Sequence, residues 1–317
     1  MRRRGLAWLA GGLAVLFLAT APGLLGTYLR VFFTELLIWG LFAMAFDVLY
    51  GYTGMLSFGQ STFFGVGAYA VALAVSRAEA GVWGALLAAA VASVLLALVV
   101  GYFAVRVSGH YFVIITVVFS LVVFRLALQH KELTGGDDGL SFEVPALGVG
   151  PVTLSLYDPV VNYYFVLAVV TAAVAVTALV MRSPWGRVFV AIRENEQRAR
   201  LVGYDVDRYK LLAFALSGLL AGLAGALYAV TFRYSNASLL HWTVSGQAVV
   251  WAIVGGVGTL VGPFLGTGVL AGITDTISAW FEHYPLLVGA LIIVAVIFAP
   301  RGLLGLLADA FGRSRAS

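Results

Sequence analysis

The chain has 317 residues, 62% of them hydrophobic and 11% charged, with mean hydropathy +0.99 and a formal net charge of +4. So little polar surface cannot cover a soluble core of this size, whereas lipid can face apolar side chains directly. The absence of cysteine excludes disulfides, thiol catalysis and thiolate metal sites, and His110, His130, His241 and His283 are too scattered to form a metal ligand set.

Long apolar runs without strict alternation point to helices rather than a barrel. The expected fold is all-α: a polytopic membrane helix bundle forming one domain over 1–317. About 20 apolar residues are needed for each crossing. Arg2-Arg3-Arg4 followed by residues 5–25 has the outline of a signal peptide, with Ala19-Thr20-Ala21 as small residues for cleavage. Pro22 would then follow the cut, and the run is long enough to span, so 5–25 is read as a retained first helix. Further spans are expected over 31–50, 57–76, 83–105, 111–128, 161–181, 211–231 and 286–300. Residues 244–280 would make a helix of about 55 Å, too long for one crossing. Gly255-Gly256-Val257-Gly258 and Gly262-Pro263 interrupt them, so two short or broken helices that start and finish on the same side are expected. The total is about ten membrane helices.

With the N-terminus inside, 14 of the 19 Lys and Arg residues fall in cytoplasmic segments, as the positive-inside rule requires. Both termini are therefore expected in the cytoplasm of a multi-pass inner-membrane protein, and the net charge carries no expectation of a nucleic-acid partner. Residues 130–160 form a long external loop, acidic and rich in turn residues. Residues 182–210 form the main cytoplasmic loop. There, Ser183-Pro184 is a strong helix start and Gly203 a natural stop. Val188, Ala191, Ile192, Asn195, Ala199 and Val202 recur at helical spacing, which predicts one amphipathic helix over 184–202. Glu194–Arg198 and Glu196–Arg200 are i,i+4 pairs in the favourable order, each contributing only about 0.2–0.5 kcal/mol. A cytoplasmic partner could grip such a helix; the alternative is an ordinary solvated loop obeying charge topology.

A family resemblance enters at this loop. The run from Ser183 to Gly203, SPWGRVFVAIRENEQRARLVG, resembles the cytoplasmic loop of branched-chain amino-acid ABC permeases of the LivM type. Further blocks follow the family's order over nearly the whole chain: Leu56-Ser-Phe-Gly-Gln-Ser-Thr-Phe-Phe-Gly-Val-Gly-Ala-Tyr69, Thr134-Gly-Gly-Asp-Asp-Gly-Leu140, Lys210-Leu-Leu-Ala-Phe-Ala-Leu-Ser217, Ala221-Gly-Leu-Ala-Gly-Ala-Leu-Tyr228, Gly255-Gly-Val-Gly-Thr-Leu-Val-Gly-Pro-Phe-Leu-Gly266 and Phe298-Ala-Pro-Arg-Gly302. The resemblance implies a transport subunit rather than an enzyme. Its implied partners are a homologous permease in a heterodimer, two cytoplasmic ATPase subunits and an external solute-binding protein. It also implies that Arg193, Glu194, Asn195, Glu196, Arg198, Arg200 and Gly203 couple to the ATPase. In importers this loop carries a Glu-Ala-Ala…Gly signature. Here Gln197-Arg198-Ala199 precedes Gly203, so the Glu and one Ala are missing. No Gly-x4-Gly-Lys-Ser/Thr phosphate loop occurs. The chain is expected to bind no cofactor, with ATP and magnesium used by the ATPase subunits.

Two readings stand for the glycine-rich segments. Gly54, Gly59, Gly65 and Gly67 crowd one span and its start, either for tight packing or as a broken helix lining the translocation path. In the second reading Ser57, Gln60 and Ser61 supply polar lining, and Gly255, Gly256 and Gly258 are a second stretch of path. Gly135, Gly136, Asp137, Asp138 and Gly139 are the expected external docking loop for the binding protein. Glu35, Asp47, Arg125 and Asp275 lie in or near spans and are read as structural or interfacial charges. Tyr163, Tyr164, Trp242, Trp251, Trp280 and Tyr284 are read as an interfacial belt. The expected substrate is a branched-chain or other hydrophobic amino acid, with urea or nucleosides as alternatives. An ion-coupled carrier using Asp47 is the rival from another class. An integral-membrane enzyme lacks a nucleophile, metal cluster or paired carboxylates.

Overall fold

The computed structural model describes residues 20, 26–107, 109–149 and 152–278, and beyond them 280, 283, 286–287, 289–290, 293 and 302–305. The expected first span, 5–25, and most of 286–300 lie outside the described residues, as do both termini.

Among the described residues six helices are long and apolar enough to cross a membrane: α1 (Thr27–Thr53), α2 (Gln60–Ala78), α3 (Val82–Ala104), α4 (His110–Gln129), α6 (Pro159–Arg182) and α9 (Val206–Phe232). Each overlaps an expected span within a few residues. Between them lie a short helix α5 (Lys131–Thr134), strands β1 (Leu140–Ser141), β2 (Leu147–Val149) and β3 (Val152–Leu154), and helices α7 (Pro184–Glu194) and α8 (Glu196–Leu201). Strand β4 (Tyr234–Ser235), a 3-10 turn (Ala237–Leu240), α10 (Trp242–Gly255) and α11 (Gly262–Ser278) complete the described chain.

Helices α1, α2 and α9 form the centre of the bundle, and α3, α4 and α6 flank it with their apolar residues largely uncovered. Leu87, Val91, Leu95 and Val99 recur every fourth residue on α3, and all are exposed. Such a stripe in water would be an association site; against lipid it is ordinary surface. The α2–α9 crossing is closer than side chains permit. A Cβ on Gly225 would overlap the carbonyl oxygen of Phe64, and one on Gly67 would overlap that of Gly222. Small residues here replace the hydrophobic driving force that lipid removes. Gly225→Val is expected to cost about 1–3 kcal/mol or more through overpacking, read as a lowered unfolding midpoint of the purified protein in detergent.

Two spans are broken at mid-depth. The chain leaves α1 at Gly54 in a left-handed cap (φ 77°) and turns back through residues 54–59 to restart at Gln60. Within that return the Phe58 amide donates to Thr116 Oγ1 at 3.1 Å, about a third of the way along α4. After α9, β4 pairs antiparallel with β1, Leu140 opposite Ser235, and the 3-10 turn then dips inward. There the Leu240 carbonyl accepts from Ser120 Oγ at 2.7 Å and Ser61 Oγ at 3.2 Å. The starts of α2 and α10 thus meet inside the bundle, where the Ser61 amide donates to Ser245 Oγ at 2.8 Å. Helices α1 and α9 run antiparallel, since Ser217 bonds the Ala45 carbonyl while Tyr228 packs on Trp39. The two broken pairs, α1–α2 and α9–α10, enter mid-depth from opposite sides.

Helices α10 and α11 form a hairpin in which Gly255 meets Gly262 and Gly266 meets Trp251. At 14 and 17 residues they are roughly 21 and 26 Å long. Two short helices are the expected form for this segment. The difference is that α10 begins at mid-depth, because the 3-10 turn has already carried the chain inward.

The face holding residues 51–56, 105–107, 109–112, 183–205 and 256–261 is the basal face, and the opposite one the apical face. On the apical side the described part of the 130–160 segment is folded down by the Arg77 guanidinium on the Glu132 carbonyl and by Trp83 Nε1 on the Gly148 carbonyl at 3.0 Å. Two of the expected belt aromatics are interior instead. Tyr163 is fully buried, and Trp251 joins a cluster with Trp39, which stacks on Phe64 at 4.9 Å. Packing between broken helices creates interior positions that hydropathy alone does not separate from an interface.

Candidate functional site: a basal loop and an apical cavity

The basal loop starts as its sequence dictates. Ser183 Oγ accepts from the Trp185 amide at 3.2 Å, with Pro184 at the first helical position. It is not one helix over 184–202. Asn195 adopts an extended conformation (φ −163°, ψ 101°), and its Oδ1 accepts from the Arg198 amide at 2.8 Å, capping a second helix, α8. An asparagine that can cap competes with helix continuation, and here the cap wins. The break takes Glu194 out of register with Arg198, so that pair does not form, and Glu194 Oε1 bonds Arg193 Nη2 at 3.2 Å. It also splits the expected apolar stripe. Val188, Ile192 and Ala199 are buried with Phe189 and Gly186, whereas Ala191, Asn195 and Val202 are exposed.

The pair Glu196–Arg200 forms at 3.1 Å and belongs to a larger network. Lys210 Nζ lies 2.6 Å from Glu196 Oε2 with only 5% of its side chain exposed, and Arg200 Nη2 lies 2.6 Å from Asp207 Oδ1. Burial pushes the Glu196 carboxyl up, but hydrogen bonds from Lys210 and Arg200 outweigh it and hold the group below the usual carboxylate range. A carboxyl so lowered stabilises the loop above its unfolded pKa, and the contribution is lost as pH falls through the lowered folded value. Arg198 is exposed, and the chain leaves α8 at Gly203 with φ 99°. Lys210 reads in the sequence as one more basic loop residue. Only its spacing from Glu196 hints at the pairing.

Arg193 is the loop's contact with the bundle. Its guanidinium Nη1 donates to the Gly51 carbonyl at the end of α1, and its stem packs on Gly54. The same Nη1 borders Gly258 in the α10–α11 turn. The Gly258 amide donates to Oδ1 of the fully buried Asp47 at 2.8 Å, and Asp47 Oδ2 has no hydrogen-bond partner among the described residues. A basal crevice of about 560 Å³ opens beside this contact, bounded by Gly54, His110, Arg193, Glu196 and Lys210.

The residues expected to line a path fall in two places. Ser57, Gly59, Gln60 and Ser61 come together at mid-depth, all buried. Ser57 Oγ accepts from the Gly59 amide at 3.1 Å, Ser61 joins Ser120 and Ser245, and neither polar atom of Gln60 has a partner among the described residues. Gly65 packs on Leu240 and Gly67 on Gly222. Gly255, Gly256 and Gly258 lie apart from these, in the basal turn beside Arg193. On the apical side Gly135, Gly136 and Gly139 have positive φ, Asp137 and Asp138 are exposed, and the Asp138 carbonyl accepts from Tyr234 at 2.9 Å.

A second space, of about 710 Å³, lies between α1, α10 and α11. Glu35 and Trp39 of α1, Gln247 and Trp251 of α10, and Thr267 and Asp275 of α11 form its walls. Glu35 and Asp275 are visible in the sequence only as charges near spans. Nothing in their spacing foretells that they share a cavity.

Comparison with known proteins shows the family. The family model described as "Branched-chain amino acid transport system / permease component" matches residues 28–298. The high-affinity branched-chain amino acid transport system permease protein LivM of Salmonella typhimurium is 30% identical over 294 residues, covering 86% of this chain and 68% of the relative. LivM of Escherichia coli K12 is 30% identical over 293 residues with the same coverage. LivH of that organism is 25% identical over 289 residues, covering 84% of this chain and 91% of the relative. No solved structure matches the chain. By the extent of the family match and by its likeness to LivM, the chain belongs to the family of permease components of branched-chain amino-acid transport systems.

Proposed function

We propose that this chain is one permease half of an ATP-driven importer that carries branched-chain amino acids delivered by an external binding protein. A homologous permease completes the membrane unit, and two ATPase subunits dock on the basal face, which is the cytoplasmic one. The observation that carries the reading is the contact of Arg193 with both the Gly51 carbonyl and the Gly258 turn. A basal loop that reaches into two membrane elements can transmit a push from outside the bilayer, and a solvated connector cannot. Displacing α7 would move the end of α1 and the α10–α11 turn together. The glycine cluster at residues 57–67, where broken helices meet, is the proposed gate, and the Gly135–Gly139 turn the proposed seat for the binding protein.

Orientation is tested by single cysteines, since the chain has none. Gln197→Cys is expected to label only from the cytoplasm and Ser141→Cys only from outside in intact cells; labelling of both from outside would reverse the assignment. Gly203→Val tests docking. Its left-handed backbone (φ 99°) disfavours a β-branched side chain by about 1–3 kcal/mol. The expected result is an inserted permease that retains less ATPase on co-purification. Unchanged retention would remove Gly203 from the coupling element.

A further inference from the structure

We propose that the apical cavity between α1, α10 and α11 recognises the ammonium group of the transported amino acid, with Glu35 and Asp275 as its anionic partners. This rests on the importer reading and adds a substrate contact to it.

The charge of the cavity is one-sided. Among the described residues that line it, Gly289 included, the two ionisable ones are both acids, and neither forms an ion pair with another described residue. Each accepts a hydrogen bond from a neutral donor: Glu35 Oε1 from Trp39 Nε1 at 3.0 Å, and Asp275 Oδ2 from Tyr28 at 2.5 Å. Those bonds hold the carboxylates in place, and the second oxygen of each accepts no hydrogen bond from another described residue. A carboxylate within a membrane protein is costly unless it faces water or a cation. Two of them in one cavity create a potential that favours a positive group over a neutral or negative one.

The walls suit the remainder of an amino acid. Trp39 and Trp251 meet edge to face at 5.5 Å, and Trp39 is fixed against Phe64. Rigid aromatic surface accommodates a branched apolar side chain and adds cation–π attraction for an ammonium group. The Gln247 amide, exposed on α10, is a donor for the α-carboxylate. The volume lies within the roughly 300–1,000 Å³ of small-molecule sites. Selection here acts on the ammonium group that all amino acids share, which leaves discrimination among side chains to the binding protein.

The test uses the full importer in lipid nanodiscs, with Ala271→Cys as the only cysteine, and follows its labelling by a neutral maleimide. Leucine and leucine methyl ester, which carry the ammonium group, are expected to slow labelling at least threefold. 4-Methylpentanoate, which has the same carbon skeleton and carboxylate without the ammonium, is expected to have no effect. Glu35→Gln is expected to remove most of the protection, and Glu35→Asp to keep part of it. Equal protection by all three compounds, by none, or in Glu35→Gln would overturn the assignment. If Glu35 instead pairs with a base on the homologous permease, Glu35→Gln will lose the second permease on purification and leucine will protect nothing in the parent; that too overturns it. ATP-driven leucine uptake by the same preparation keeps the readings apart. Uptake without protection removes only this cavity, and absence of uptake removes the importer reading itself.

Discussion

Glu196→Lys is expected to abolish ATP hydrolysis stimulated by the loaded binding protein while leaving the helix bundle inserted. The cause is Lys210. Its ammonium group lies 2.6 Å from the Glu196 carboxylate, and its side chain is 95% removed from solvent by the fold around it. Lys210 is buried but the Glu196 side chain is 32% exposed, so leaving the ammonium uncompensated costs less than the roughly 3–5 kcal/mol of a fully buried pair. The substitution also sets a second cation beside Lys210 and Arg200, which bonds the same carboxylate. The cheapest escape is for α8 to leave its seat, and that removes the surface offered to an ATPase. Glu196→Gln keeps a hydrogen-bond acceptor and is expected to be milder, retaining part of the ATPase on co-purification. Raising salt should weaken the exposed Arg200–Asp207 pair more than the Glu196–Lys210 contact, whose ammonium is buried. Since the Glu196 carboxyl is held below its usual range, the loop should stay seated across neutral pH and loosen only under acid conditions.

Arg193→Ala is expected to separate hydrolysis from transport. The loop would keep its network around Glu196 and still bind the ATPase, but its tie to the Gly51 carbonyl and the Gly258 turn would be gone. Uptake should fall at least tenfold, a loss equivalent to about 1.4 kcal/mol or more in coupling, with hydrolysis largely retained. Arg193→Lys should recover little, because a lysine ammonium is a point charge on a different stem and lacks the planar fork. A parallel loss of ATPase attachment would make Arg193 a docking residue rather than a transmitter.

Much of this architecture is legible in the amino-acid order, and the illegible parts have a common cause. The six crossing helices announce themselves because each holds a long, predominantly apolar run with few charges, bounded by charge or glycine. The inward dips at residues 54–59 and Ala237–Leu240 do not, since Arg233, Asn236 and His241 read as an external loop. What holds the second dip at mid-depth is the Leu240 carbonyl on Ser61 and Ser120, partners more than a hundred residues away. The α7–α8 break is a close contest between helix continuation and an Asn cap, in which the apolar spacing gives no warning. Lys210 looks like any cytoplasmic lysine until α8 folds over it. The blocks resembling the permease family carried the functional class; the Glu35–Asp275 cavity and the Arg193 contact needed the tertiary structure.

The most direct measurement is leucine uptake into proteoliposomes holding this chain, its homologous permease and the two ATPase subunits, with loaded binding protein on one side and ATP on the other. The account predicts uptake that requires ATP and every one of these components, and that is unaffected by collapsing sodium and proton gradients. Gradient-driven uptake by this chain alone, without ATP, would contradict it.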